Sequence, residues 1–417
     1  MHAPAPALLA TVLAGAVLAG CGKSAPSGVG GNGSGSAGPI ARVSSEGAAG
    51  LSTKNTTRLG GPDPATDAAA VARAVYPGLT ASTRPQAVVL VNEGDWPTAL
   101  AASALASAPL GAPLLYSAGS TLPAVSSQAL EAMHPTGAAQ AGGAQVIRIG
   151  SPPTLPAAPG GYRTSTLTAS EPAALAAEVA RLVGRTRGVS PRQVIVLASD
   201  APPALVMPAA GLSAESGAPI LLASSTRLPA PTRAELANLH QPAIYVIDPP
   251  ALGSRVISEL AHLGPVKLIG SPAATPSAVA NAIAVARYAD GAFGWNIHEP
   301  GHGLVFANPS RPLDAPAAAL LSASGDFGPL LLLGDSSPPA RAPPRGGSLP
   351  SSLASYLSDI KPAFSPQVPP VRVAYNHGWL IGDERAISAI TQAEIDALLE
   401  ASPRAAATEE PSLPLAE

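Results

Sequence analysis

The stretch PATDAAAVARAVYP at 64–77 returns, altered but legible, as EPAALAAEVARLVG at 171–184 and PSAVANAIAVARYA at 276–289. Val-Ala-Arg thus stands at 71–73, 179–181 and 285–287, a little over a hundred residues apart. Self-similarity at a fixed period marks one structural unit written three times. Each copy opens on a capping residue near a proline, Asp63-Pro64, Ser170 with Pro172, and Thr275-Pro276, the usual form of a helix start. In the second copy Leu175, Val179, Leu182 and Val183 fall at i, i+4, i+7 and i+8, an apolar stripe of helical period. Three amphipathic helices are expected.

The segments after these helices recur as well. A short apolar run comes first, AVVLVN at 87–92, VIVLAS at 194–199 and LVFAN at 304–308. Runs without polar alternation suit strands covered on both faces of a parallel sheet. A small-residue helix and a second run come next, GAPLLYS at 111–117, GAPILLAS at 217–224 and GPLLLLG at 328–334. Leu-Pro then opens another helix, at Leu122-Pro123, Leu228-Pro229 and Leu349-Pro350, and a last strand closes each unit: QVIRIG, AIYVID and HGWLIG. Strand, helix, strand, helix, strand is the order of an open α/β sheet with helices on its faces. The expected fold is α/β, three tandem open parallel-sheet modules in a pseudo-threefold triangular arrangement. Their boundaries are 57–160, 161–264 and 265–401.

In order, these motifs resemble the cell wall-binding repeat 2 family of bacterial surface proteins. Its repeats carry an Arg-aliphatic-small-Gly start, a Thr-Ala-rich helix, a strand, a Phe-Pro-Asp-Ala-Leu-Ala-Ala segment, a Gly-Ala-Pro-aliphatic strand and a Leu-Pro helix. The first module matches with Arg58-Leu59-Gly60-Gly61, then Trp96-Pro97-Thr98-Ala99-Leu100-Ala101-Ala102, then Gly111-Ala112-Pro113-Leu114-Leu115. The second offers Pro202-Pro203-Ala204-Leu205 and Gly217-Ala218-Pro219-Ile220-Leu221-Leu222, without a close Arg-x-x-Gly start. The third keeps the motif's aspartate at Asp314, in PLDAPAAAL, where the first has Thr98 and the second Pro203, and it adds Pro-rich segments near 337–350 and 362–370. The resemblance covers about residues 57–401. It implies three modules in one chain that hold a protein non-covalently to polysaccharide or secondary polymer of a Gram-positive-type wall.

The chain has 417 residues, 46% of them hydrophobic but only 3% aromatic, so its cores are finely packed from alanine, leucine and valine. Forty-eight prolines and 41 glycines punctuate many short elements. A formal net charge of −3 supplies no basic field to collect nucleic acid, so an anionic ligand would need a local site. The single cysteine ends the apolar run LLATVLAGAVLAG (8–20), too short for a permanent span, in Leu18-Ala19-Gly20-Cys21. This resembles a bacterial lipoprotein signal (1–20) whose Cys21 becomes the lipidated first residue and a membrane anchor, at about 0.8 kcal/mol per buried methylene. MHAPAPA ahead of it lacks Lys and Arg, so an ordinary secretory signal is the alternative. Residues 21–56, with GVGGNGSGSAG, read as a flexible tether, and 402–417 as a disordered tail.

Several residues are candidates for chemistry. His298, Glu299 and His302 fit H-E-x-x-H, a zinc pattern that works only on a helix, but Pro300 and Gly301 make the pentapeptide a turn, and no third ligand follows at a family spacing. GSGSAG lies before any strand, and no glycine fingerprint follows one, so neither a nucleophile elbow nor a phosphate loop is written. No enzymatic activity, cofactor or metal is expected. At the carboxyl ends of the first strands stand Asn92, Glu93, Asp95 and Trp96; Ser199 and Asp200; and Asn308, Arg311 and Asp314. An indole face with carboxylates beside it suits a carbohydrate ring; equally, Trp96 packs as core while the polar groups cap helices. Arg73, Arg181 and Arg287 would form an anion-binding ring if their helices faced the threefold axis, and are otherwise solvated surface charges. The alternative function, a solute-binding lipoprotein of a transporter, requires two lobes and a cleft, and an envelope hydrolase would release wall fragments.

Overall fold

A computed structural model describes residues 52–271, 277–291, 293–324, 327–334, 348–364 and 374–403, all within one compact unit. The leader with Cys21, the tether up to residue 51, Thr275-Pro276, most of the two Pro-rich segments and the tail from 404 lie outside the described residues.

Strand β1 (Thr56–Leu59) and helix α1 (Pro64–Val75) open the body, with Asp63 capping the helix by accepting from Thr66 N. There follow β2 (Val88–Asn92), α2 (Trp96–Ala102) with a one-turn extension (Ser103–Ala106), β3 (Leu114–Ser117), α3 (Ala124–Met133), β4 (Val146–Gly150) and β5 (Thr164–Thr168). The second repeat supplies α4 (Pro172–Arg187), β6 (Gln193–Ala198), α5 (Pro203–Val206), α6 (Ala209–Ser216), β7 (Ile220–Ala223), α7 (Ala230–Asn238), β8 (Ala243–Ile247), α8 (Ser254–Ala261) and β9 (Val266–Ile269). The third supplies α9 (Ala278–Arg287), β10 (Gly303–Ala307), α10 (Asp314–Ser322), β11 (Phe327–Leu332), α11 (Ser351–Asp359), β12 (Ala363–Phe364), β13 (His377–Ile381), α12 (Ala389–Leu399) and β14 (Ser402–Pro403).

Three four-stranded sheets result, ordered β3-β2-β4-β5, β7-β6-β8-β9 and β11-β10-β13-β1, and every pairing in them is parallel. A short β12-β14 pair stands apart. The tandem α/β architecture read from the repeats is present, with three sheets rather than two lobes. Burial explains why the central runs lack polar alternation: β2 and β10 are buried at every position, because helices cover both faces.

Each sheet also has a fourth strand, and it belongs to the next repeat. Strands β5 and β9 immediately precede α4 and α9, yet they pair with β4 and β8 of the sheet before. By the same rule β1, at the start of the body, pairs with β13 near its end. The boundaries at 57, 161 and 265 set these strands at the heads of units, whereas their hydrogen bonds run to the preceding sheet. The repeats are interlocked, and β1 closes the series on itself.

The centre is built from the helices that come after the first strand of each sheet. α2 with its extension, α6 and α10 pack on one another, and Leu100, Ala101, Ala209, Ala210, Leu212, Ala315, Ala318 and Ala319 share one core. Small side chains let helix axes approach closely. The helices approach closely at Gly211, where an added Cβ would lie 2.6 Å from Ser322 Oγ and 3.2 Å from its Cβ. Gly211→Ala is therefore expected to lose about 1–3 kcal/mol through overpacking. Urea denaturation checks this, and Ser322→Ala in the same chain should recover part of the loss.

The Val-Ala-Arg helices lie elsewhere. α1 packs on β3 and α3 of its own unit and on α10 of the third; α4 packs on β7, α7 and α2; α9 packs on β11, α11 and α5. They span the joints between units. The ends of the body are tied similarly. Buried Arg58 donates through Nε and Nη2 to Gln392 Oε1, at 3.2 and 2.8 Å, and through Nη1 to the carbonyls of Gly382 and Asp383. Asn55 donates to Asp396 and Glu400 on and beside α12. The arginine of the Arg58-Leu59-Gly60-Gly61 motif is thus a clamp between first strand and last helix. Gly60 sits at φ +119°, where an added Cβ would lie 2.1 Å from Asp67 Oδ1, so the motif requires glycine there.

Candidate functional site

Apart from Glu93, the polar residues at the carboxyl ends of the sheets are engaged through their side chains by their own chain. Asp95 caps α2 by accepting from Thr98 N at 3.2 Å, and Trp96, half-buried, packs against the core. Asp200 is exposed and accepts from Ser225 N at 2.8 Å and from Ser225 Oγ at 2.7 Å, fixing the loop after β7. Asn308 donates to Ala386 O at 2.8 Å and accepts from Ser310. Helix capping and loop fixing, rather than a common groove, describe what these side chains do here.

Asp314 has no exposed surface. Arg311 Nε donates to its Oδ2 at 2.8 Å, while Arg311 Nη2 donates to Asp67 on α1, which is also fully buried and accepts from Gly61 N at 2.6 Å. One guanidinium therefore faces two buried carboxyls from opposite ends of the body. Burial raises the pKa of Asp314 well above the usual carboxylate range, the Asp67 carboxylate adds to the rise, and Arg311 opposes it. Among the described residues the Asp314 Oδ1 accepts from no donor, and the Asp67 and Asp314 carboxyls act on each other's titration. The motif position is closed in the first module as well, where Thr98 is fully buried. It is a structural position.

The three repeated arginines are not gathered into a ring. Arg181 pairs with Glu178 at 2.6 Å and with Glu235 on α7 at 2.8 Å; Arg287 pairs with Asp359 on α11 at 2.6 Å and lies 5.1 Å over the Tyr356 ring. Each ties its helix to the Leu-Pro helix of its own unit. Arg73 is partly exposed at the end of α1, a favourable place for a cation against the helix dipole. The helices that meet at the centre are other helices, which is why the symmetric arrangement does not arise.

Residues 297–302 are not helical, in keeping with Pro300 and Gly301: the chain is irregular there and bends at Glu299–Pro300. Gly301 has φ +121°, and the amides of Gly301 and His302 donate to Asn376 Oδ1 at 2.8 and 3.2 Å. Among the described residues no group of three His, Cys, Asp or Glu side chains is placed to hold a metal.

The concavity with the most suitable chemistry lies at the opposite edge of the third sheet, where its strands begin. A pocket of about 450 Å³ is lined by Thr57, Val75, Leu321, Ser324, His377 and Trp379, with Ala74 and Gly303. Thr57 and Trp379 are paired across β1 and β13. The His377 and Trp379 rings meet edge to face, 4.6 Å between centroids, and His377 Nε2 lies 3.1 Å from Thr57 Oγ1. Burial lowers the His377 pKa, so the imidazole is neutral near pH 7. Among the described residues no carboxylate, ammonium or guanidinium lines the pocket. Neither repeat pattern nor motif singles these residues out in the sequence. The available signal is the pair of aromatic rings in HGWLIG, where the other units have QVIRIG and AIYVID.

No protein-family model and no curated protein matches the chain. The fold is shared with solved structures, among them two cell wall proteins. The Clostridium difficile cell wall proteins Cwp8 and Cwp6 superpose with TM-scores of 0.61 and 0.57, each at 16% sequence identity and over 83% of this chain. The chain spans 52% of the length of Cwp8 and 48% of that of Cwp6, about half of each.

Proposed function

We propose that the protein is a cell-envelope component, lipid-anchored to the membrane at Cys21, that binds wall polymer through its three interlocked modules and catalyses no reaction. The observation that carries this reading is the architecture itself. This chain builds three parallel sheets around shared central helices, and its fold resembles that of the cell wall proteins Cwp8 and Cwp6 at an identity where the likeness is one of fold alone. The repeat-family motifs of the first module support it: their Arg, Gly and helix-start residues hold the joints on which this fold depends. The tether would let the body reach the wall from the membrane face.

Co-sedimentation of residues 45–417 with purified sacculi tests the binding. The body is expected to pellet with native sacculi and to remain in the supernatant once secondary polymers are stripped. Failure to pellet with either preparation would overturn the reading, and release of soluble fragments would replace it with a hydrolase. The anchor is tested separately by Cys21→Ser in the full chain, expected to move the protein from the membrane fraction to the medium.

A further inference from the structure

The chain contains an internal control for its pocket. Trp379 of β13, Tyr245 of β8 and Ile147 of β4 occupy the same position in their sheets, each two residues before the Ile that pairs with the last apolar residue of the fourth strand. Ile147 is fully buried and Tyr245 is 2% exposed, whereas Trp379 is partly open. The reason is the path the chain takes beyond the adjoining Val-Ala-Arg helix. After α9 the chain folds back over the second sheet and lays Phe293 on Tyr245, ring centroids 3.7 Å apart and planes 18° from parallel. Tyr288 adds an edge contact at 6.1 Å, and Asp290 accepts from Tyr245 Oη at 2.9 Å while pairing with Lys267 at 2.8 Å.

After α1 the chain goes the other way. Tyr76 turns toward the first module, its hydroxyl close against Gly111, where an added Cβ would lie 2.7 Å away. Of that segment only Ala74 and Val75 are among the residues that line the pocket, and the place held by a ring in the second module is open in the third. The polar partners change in step. Where the second sheet has Lys267 beside its aromatic, paired to a carboxylate, the third has Thr57, with Ser324 and neutral His377 around it. The ring that fits is flat-faced, uncharged and carries hydroxyls.

Resting on the wall-binding reading, we propose that this pocket takes one uncharged pyranose residue of a wall glycan, stacked on Trp379 as Phe293 stacks on Tyr245, with its hydroxyls bonded to Thr57, Ser324 and His377. A sugar presents an apolar C–H face to an indole and a rim of donors and acceptors to short polar side chains. The volume lies within the range of small-molecule sites, and the uncharged lining disfavours phosphate or carboxylate groups.

The test is saturation-transfer NMR on the full chain with neutral methyl pyranosides of glucose, galactose, mannose and N-acetylglucosamine as probes. At least one should give a saturable signal, in the roughly millimolar range of a one-ring ligand. Trp379→Ala should weaken it at least about ten-fold, equal to about 1.4 kcal/mol. Ala74→Phe keeps the indole and its strand and sets a ring into the pocket from the exposed end of α1, so it should abolish the signal in a chain of unchanged thermal stability. No saturable signal with any probe, or signals undiminished in Ala74→Phe, would overturn the proposal. Sacculus binding separates the two readings: a wild-type chain that pellets while Ala74→Phe pellets equally well loses the pocket but keeps wall binding, and a wild-type chain that takes a pyranoside but does not pellet keeps the pocket and loses the wall.

Discussion

Arg311→Ala is expected to cost about 3–5 kcal/mol of stability at neutral pH, the range for removing one partner of a buried ion pair. The guanidinium serves Asp67 and Asp314 together, and both carboxyls are fully buried. Without it, α1 and α10 would meet across two acids with no cation between them, at the joint where the first unit packs on the third. Asp314→Asn should behave in the opposite way, with little loss or a small gain, because the amide keeps an acceptor for Arg311 and a donor for Asp67. The pH dependence stems from the raised pKa of Asp314, set first by burial and then by Asp67. A carboxyl whose folded pKa exceeds its unfolded value takes up a proton on folding. Its contribution is complete below about pH 4 and fades as pH rises through the folded value. Urea denaturation of the wild type should therefore show a stability term declining above about pH 4, which Asp314→Asn flattens. The Arg311→Ala loss should grow as pH rises above the usual carboxylate range, since protonating the acids at low pH relieves it. A loss independent of pH would mean that the carboxyls do not share a proton.

What the sequence reveals and what it hides divide along burial and range. The central strands are legible because AVVLVN and LVFAN are covered on both faces and carry no polar residue until their ends. The fourth strands are not. TSTLT in β5 has one buried side chain in five positions, and VKLI in β9 has one in four, so edge strands half-open to solvent show neither an apolar run nor a clean alternation. β1 hides for another reason: Thr56, Arg58 and Leu59 are buried, but the partner strand β13 lies more than three hundred residues away, and no local pattern announces such a pairing. Asp314 is legible as a motif residue but not as the partner of Arg311 and Asp67, because Asp67 sits in the first repeat and reads as part of a helix. The capping role of Asp95 is written locally and can be read. The Trp379 pocket cannot, since it depends on the different paths the chain takes after α1 and after α9.

The interlocking makes the last prediction the most severe. A chain beginning at residue 62 lacks β1 and with it the outer strand of the third sheet, the buried Leu59, and the hydrogen bonds of Arg58 and Asn55 to the end of the body. The loss is expected to approach the whole stability of an ordinary domain, about 5–15 kcal/mol, with β13 left as an open parallel edge that invites association. Circular dichroism and size-exclusion chromatography should show a partly unfolded, aggregating chain. A circular permutant provides the counterpart. Lys54 and Glu400 are paired, and Thr53 Oγ1 donates to Asp396 Oδ1 at 2.5 Å, so the two ends of the body are neighbours and a short flexible linker from 403 to 52 can join them. New termini opened in the exposed turn at Val189–Ser190, between α4 and β6, break none of the sheets. If the order of repeats is closed, as the β1–β13 pairing requires, this permutant should fold to a monomer with a melting temperature near that of the uncut body, since the fold has no preferred beginning. A permutant that unfolds as badly as the truncation would mean that β1 acts through its place in the chain, and that the three units are stacked in a row instead of closed on one another.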